Sequence, residues 1–84
     1  MTKAEIEEFV KNTVIDFIAS NYDSNQNFVD MGADSLDAVE LIMSVEEQYD
    51  ITISDTEAED IKTPKDLINV IIEKLKTDGR PVTE

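Results

Sequence analysis

Ser35 follows Gly32-Ala33-Asp34 and opens the run "SLDAVELIMSVEEQYD", whose apolar residues recur at helical spacing. A serine so placed has three uses: catalytic nucleophile, helix cap, or point of covalent attachment. A nucleophile needs a base to take its proton, usually histidine and sometimes lysine. The chain has no histidine, and its seven Lys and Arg residues all lie outside residues 12–61. Asp34 alone is too weak a base, so the chain is not expected to be an enzyme. A cap is chemically adequate, because Asp34 and Ser35 are both good N-cap types. It leaves unexplained why a second apolar stripe begins at the next residue. An attachment point accounts for that stripe. A hydroxyl behind a glycine loop is open to a modifying enzyme, and a phosphodiester there meets unpaired N–H groups and the positive end of a helix dipole.

The helix that carries Ser35, read as about residues 35–49, has two apolar faces. Ala38, Leu41, Ile42, Val45 and Tyr49 share one, wide enough to be its contribution to a core. Leu36, Val39 and Met43 align on nearly the opposite side, with Glu40 and Glu47 on one flank and Glu46 and Asp50 on the other. A central helix that buries both stripes would place carboxylates at the edge of a core, which is costly without partners. An apolar strip rimmed by charge is better read as a docking surface, and a methionine suits several partners.

The remaining elements must position this helix. Thr2-Lys3-Ala4-Glu5 fits a capping box, with Ile6, Phe9, Val10, Val14, Phe17 and Ile18 on one stripe, so a first helix is expected over about 3–18. Turn-rich "SNYDSNQN" ends it, and Phe28, Val29 and Met31 are expected to anchor a long loop. Ser54-Asp55-Thr56-Glu57 is another capping box, opening a short third helix to about Ile61. Thr63-Pro64 begins a fourth, with Leu67, Ile68, Ile71, Ile72 and Leu75 inward. The fold class is all-α, a small four-helix bundle with a short third helix and a long loop between helices one and two. Residues 1–78 are expected to form the domain and 79–84 a flexible tail.

At 84 residues one domain is expected; without cysteine there is no disulfide or cysteine–zinc site, and no apolar run suits a membrane span. The net charge of −13 is concentrated: residues 12–61 hold thirteen of the twenty acids and no base. Nucleic acid and anionic lipid are repelled by such a surface, while a basic protein or a divalent cation is attracted.

"GADSLDAVEL", Gly32 to Leu41, resembles the 4′-phosphopantetheine attachment motif of acyl carrier proteins, and the likeness continues through "EEQYDITISDTEAEDIKTPKDL", Glu46 to Leu67. It is nearest to the free-standing carriers of dissociated fatty acid synthesis. The resemblance implies a four-helix bundle with Ser35 as the attachment point. A phosphopantetheinyl transferase using magnesium would load it from coenzyme A, with Asp34 helping to hold the metal. Acyl groups would ride on the arm as thioesters, sheltered between helices, and be presented to enzymes with basic docking patches. Leu36, Val39 and Met43 match the family's apolar contact positions; Asp34, Asp37, Glu40, Glu46 and Glu47 match its acidic ones. A monomer in the cytoplasm, or in an organelle stroma or matrix, is implied. Two departures stand out: the segment before Gly32 is shorter than usual, and Ser54 stands where many relatives have proline.

Three alternatives compete. A polyketide, peptide-synthetase or D-alanyl carrier would use Ser35 identically with another cargo. An acidic helical interaction domain would need no prosthetic group. A calcium loop could start at Asp23-x-Asn25-x-Asn27 and end at Asp34, but its sixth position, normally glycine, is Phe28.

Overall fold

A computed structural model describes residues 1–18 and 20–83. Four helices follow in order, α1 (Lys3–Phe17), α2 (Ser35–Tyr49), α3 (Asp55–Glu59) and α4 (Pro64–Thr77), with a 3₁₀ turn at Phe28–Met31. Each α-helix opens on a reciprocal capping box: Thr2 with Glu5, Asp34 with Asp37, Ser54 with Glu57 and Thr63 with Asp66. Each box satisfies two backbone N–H groups that a helix start otherwise leaves unpaired, which sets the four starts within one residue of the sequence reading.

α1 packs on both α2 and α4, and one core runs through all three. Ile6, Val10 and Val14 of α1 meet Leu41 and Val45 of α2 and Leu67, Ile71 and Leu75 of α4, all essentially inaccessible. Phe9 stands edge-on to Tyr49, ring centroids 5.4 Å apart, closing the α1–α2 seam. Burial, then the nearby Glu5 carboxylate, raises the Tyr49 phenol above its ordinary pKa. Thr13, also buried, is satisfied by donating its hydroxyl to the Phe9 carbonyl at 2.7 Å. Ile51 and Ile53, in the link from α2 to α3, complete the floor.

Four details differ from the expectations. α1 ends at Phe17, which is 40% exposed rather than part of the core stripe. α3 stops at Glu59, because Asp60 turns the chain and the next N-cap is Thr63. Val29 does not anchor its loop: the 3₁₀ turn sends Phe28 and Met31 inward and leaves Val29 73% exposed. Gly32, at φ 96°, ends that turn in the left-handed region that favours glycine. At the other end, residues 80–83 make specific contacts. The Arg80 guanidinium donates to the Tyr49 and Asp50 carbonyls and pairs with Asp78, placing a cation at the negative end of α2. Thr83 bridges to the N-terminal segment, its N–H donating to the Met1 carbonyl at 2.9 Å and its carbonyl accepting from Lys3 N–H.

α3 buries no residue and is held largely by polar contacts. Its Glu57 carboxylate pairs with the Lys74 ammonium of α4 at 2.8 Å and accepts from the Ser54 backbone. The Lys74 hydrogen bond, followed by those from Ser54, holds Glu57 below its ordinary value of 4.5. A carboxyl with a lowered folded pKa contributes stability that is complete above the unfolded value and lost as pH falls through the folded one. Lys74→Ala is therefore expected to return the Glu57 titration midpoint, followed by carboxyl NMR, towards 4.5, and to speed amide exchange in residues 55–59. An unchanged midpoint would contradict this account of how α3 is held.

Candidate functional site

Asp34, not Ser35, caps α2. Its Oδ1 accepts from Asp37 N–H at 2.9 Å, and the Asp37 carboxylate accepts in return from Asp34 N–H at 3.2 Å. Ser35 thereby becomes the first helical residue. It is exposed, and its hydroxyl enters no hydrogen bond among the described residues. The reading of Ser35 as a simple cap is removed, since the neighbouring carboxylate already fills that position. No histidine is present to activate the hydroxyl. The geometry presents Ser35 without activating it, which suits a group acted upon by another protein.

A cleft of about 300 Å³ runs from Ser35 between the start of α2, the 3₁₀ turn and the end of α3. Its lining is mainly apolar, including Val29, Ala33, Ala38, Ala58 and Ile61, with Asp34, Glu59 and Lys62 among its polar members. The cleft fits an attached arm: its lining includes the exposed Ser35 together with apolar side chains that an uncharged chain could contact. Both Val29 and Lys62 escaped the sequence reading as site residues. Lys62 left one readable signal, as the first base after fifty residues without one.

The second stripe of α2 faces outwards as expected, with Leu36 63%, Val39 52% and Met43 58% exposed. Glu40 and Glu47 are exposed beside it. Glu46 and Asp37 are half-buried and serve the fold as well. The Glu46 carboxylate accepts from Ile53 N–H at 2.9 Å and ties the α2–α3 link to α2. Sequence spacing alone gave no sign of that bond.

The calcium-loop reading is not supported by these placements. Asp23 accepts from Asn25 N–H in a local turn, Asn27 caps the 3₁₀ turn through Val29 N–H, and Asp34 caps α2. Phe28 is buried at the position where such a loop needs a sharp glycine turn. Among the described residues no group of three or more acidic, His or Cys side chains converges as a metal site. No described helix is long and apolar enough to cross a membrane.

Fold and site together define a small helical domain that displays a serine at the mouth of an apolar cleft. Residues 8–71 match the family model described as "Phosphopantetheine attachment site". The acyl carrier protein of Picosynechococcus sp. is 45% identical over 74 residues, covering 83% of this chain and 91% of the relative. That of Petrotoga mobilis is 39% identical over 82 residues, covering 93% and 96%. The crystal structure of an acyl carrier protein from Thermotoga maritima superposes with a TM-score of 0.78 at 25% identity, over 90% of this chain and 93% of that one. The chain belongs to the acyl carrier protein family. It is a carrier rather than a catalyst, and its prosthetic group is 4′-phosphopantetheine, through which acyl chains are bound.

Proposed function

We propose that Ser35 carries the phosphopantetheine arm and that the chain serves fatty acid synthesis, docking basic enzymes through α2. One observation carries the first half: Asp34 takes the cap of α2, which leaves the adjacent hydroxyl exposed and uncommitted. Loading would join Ser35 Oγ to the β-phosphorus of coenzyme A, with 3′-phosphoadenosine 5′-phosphate as the leaving group and the serine proton passing to a base. With no histidine in the chain, the base belongs to a phosphopantetheinyl transferase, together with magnesium. Asp34, one residue away and exposed, would help to hold that magnesium during transfer. When attached, the arm supplies a terminal thiol that holds acyl groups as thioesters, chemistry this cysteine-free chain lacks.

The docking half rests on Leu36, Val39 and Met43, exposed in line from the attachment serine, with Asp34, Asp37, Glu40, Glu46 and Glu47 around them. Partner enzymes with Lys and Arg around an apolar groove complement that surface, and charge sets encounter rate and partner choice. The carrier then works beside those enzymes, in the cytoplasm or in an organelle stroma or matrix. A carrier of polyketide, peptide-synthetase or D-alanyl cargo would keep the same Ser35 chemistry. Reconstitution of the loaded chain with fatty acid synthesis enzymes separates these readings. Malonyl transfer and elongation support fatty acid synthesis; loading only by an adenylating ligase contradicts it.

A further inference from the structure

Among the described residues, Lys62 is the one base lining the cleft that includes Ser35. Its backbone is fixed on both sides: its N–H donates to Asp66 Oδ2 at 3.0 Å, and its carbonyl accepts from Phe28 N–H at 2.9 Å. The residue is thus tied to the α4 cap and to the 3₁₀ turn, whose Phe28 and Val29 also line the cleft. Its ammonium enters no ion pair among the described residues, whereas Lys74 and Arg80 are both paired. Two carboxylates, Asp34 of α2 and Glu59 of α3, share the cleft lining. A phosphodiester on Ser35 would add a third negative group there, and a cation among the lining residues offsets it.

We propose that Lys62 is a positioning residue for the attached arm, pairing with its phosphodiester so that the arm lies along the cleft towards Ala58 and Ile61 instead of extending into solvent. This inference rests on Ser35 as the attachment point. Lys62 acts on placement of the arm and not on its transfer. The apolar lining from Val29, Ala38, Ala58 and Ile61 then meets the uncharged part of the arm.

The test is NMR of the lysine side-chain carbons and the backbone amides, before and after enzymatic loading, with loading verified by intact mass. The side-chain carbon resonances of Lys62 are expected to move on loading, and those of Lys3 and Lys76, which line a separate cleft at the start of α1 and along α4, to move less. In Lys62→Ala the mass gain persists, while the loading-induced amide shifts of Ala58 and Ile61 shrink; Lys62→Arg restores them. Resonances of Lys62 that move no further than those of Lys3 and Lys76 overturn the inference. So do amide shifts indifferent to the alanine variant. Absence of a mass gain at Ser35 is a separate failure, that of the attachment reading itself.

Discussion

Reversing Glu40 and Glu47 to lysine is expected to weaken binding to a basic partner enzyme by at least about tenfold, or ~1.4 kcal/mol. Both side chains are exposed on one flank of the outward stripe of α2, so they meet solvent before docking and the partner after it. The change should fall mainly on the association rate and shrink as salt is added, because exposed charges steer encounter more than they hold a complex. Folding should be preserved, since neither carboxylate caps a helix or forms an ion pair among the described residues. Stopped-flow association with a β-ketoacyl synthase, across a salt series, measures this. Rates that match wild type at low salt would remove α2 from the docking account.

Leu41→Ala should have the opposite profile. Leu41 lies on the inner face of α2 and is 1% exposed. Truncating a buried leucine costs about 2–5 kcal/mol. A domain of this size has roughly 4–13 kcal/mol in total. The melting temperature is therefore expected to fall by at least about 10 °C. Val39→Ala and Met43→Ala, on the outer face of the same helix, should stay within about 0.5 kcal/mol of wild type. They should nevertheless weaken partner binding by removing the apolar centre of the patch. Thermal unfolding followed by circular dichroism separates the two faces. Equal destabilisation from Leu41 and Met43 would mean that both stripes are buried.

The two-faced character of α2 was legible because its periodicity is local. Ala38, Leu41, Ile42, Val45 and Tyr49 on one side, and Leu36, Val39 and Met43 on the other, follow from 100° per residue alone. Helix starts were legible for the same reason, since each capping box spans only four residues. What the sequence left open was a choice between neighbours or a contact across the fold. Asp34 and Ser35 are equally good caps by type; the return bond from Asp37 decides between them. Val29 and Phe28 are equally apolar, and only the direction of the 3₁₀ turn puts one inside and the other at the cleft. Arg80 reaches carbonyls thirty residues back, and Glu46 reaches the link seven residues on; no helical repeat encodes either distance. The cleft itself joins α2, the 3₁₀ turn and residues 58–62, so Lys62 becomes a neighbour of Ser35 only after folding.

The most direct test of the central claim is intact mass before and after incubation with coenzyme A, magnesium and a broad-specificity phosphopantetheinyl transferase, on the wild-type chain and on Ser35→Ala. The wild type is expected to gain a single phosphopantetheine, located on Ser35 by fragmentation, and the variant to gain nothing while keeping its helical spectrum. A gain that persists in Ser35→Ala, or a folded wild type that no transferase loads, would contradict the assignment of Ser35 as the point at which this carrier holds its cargo.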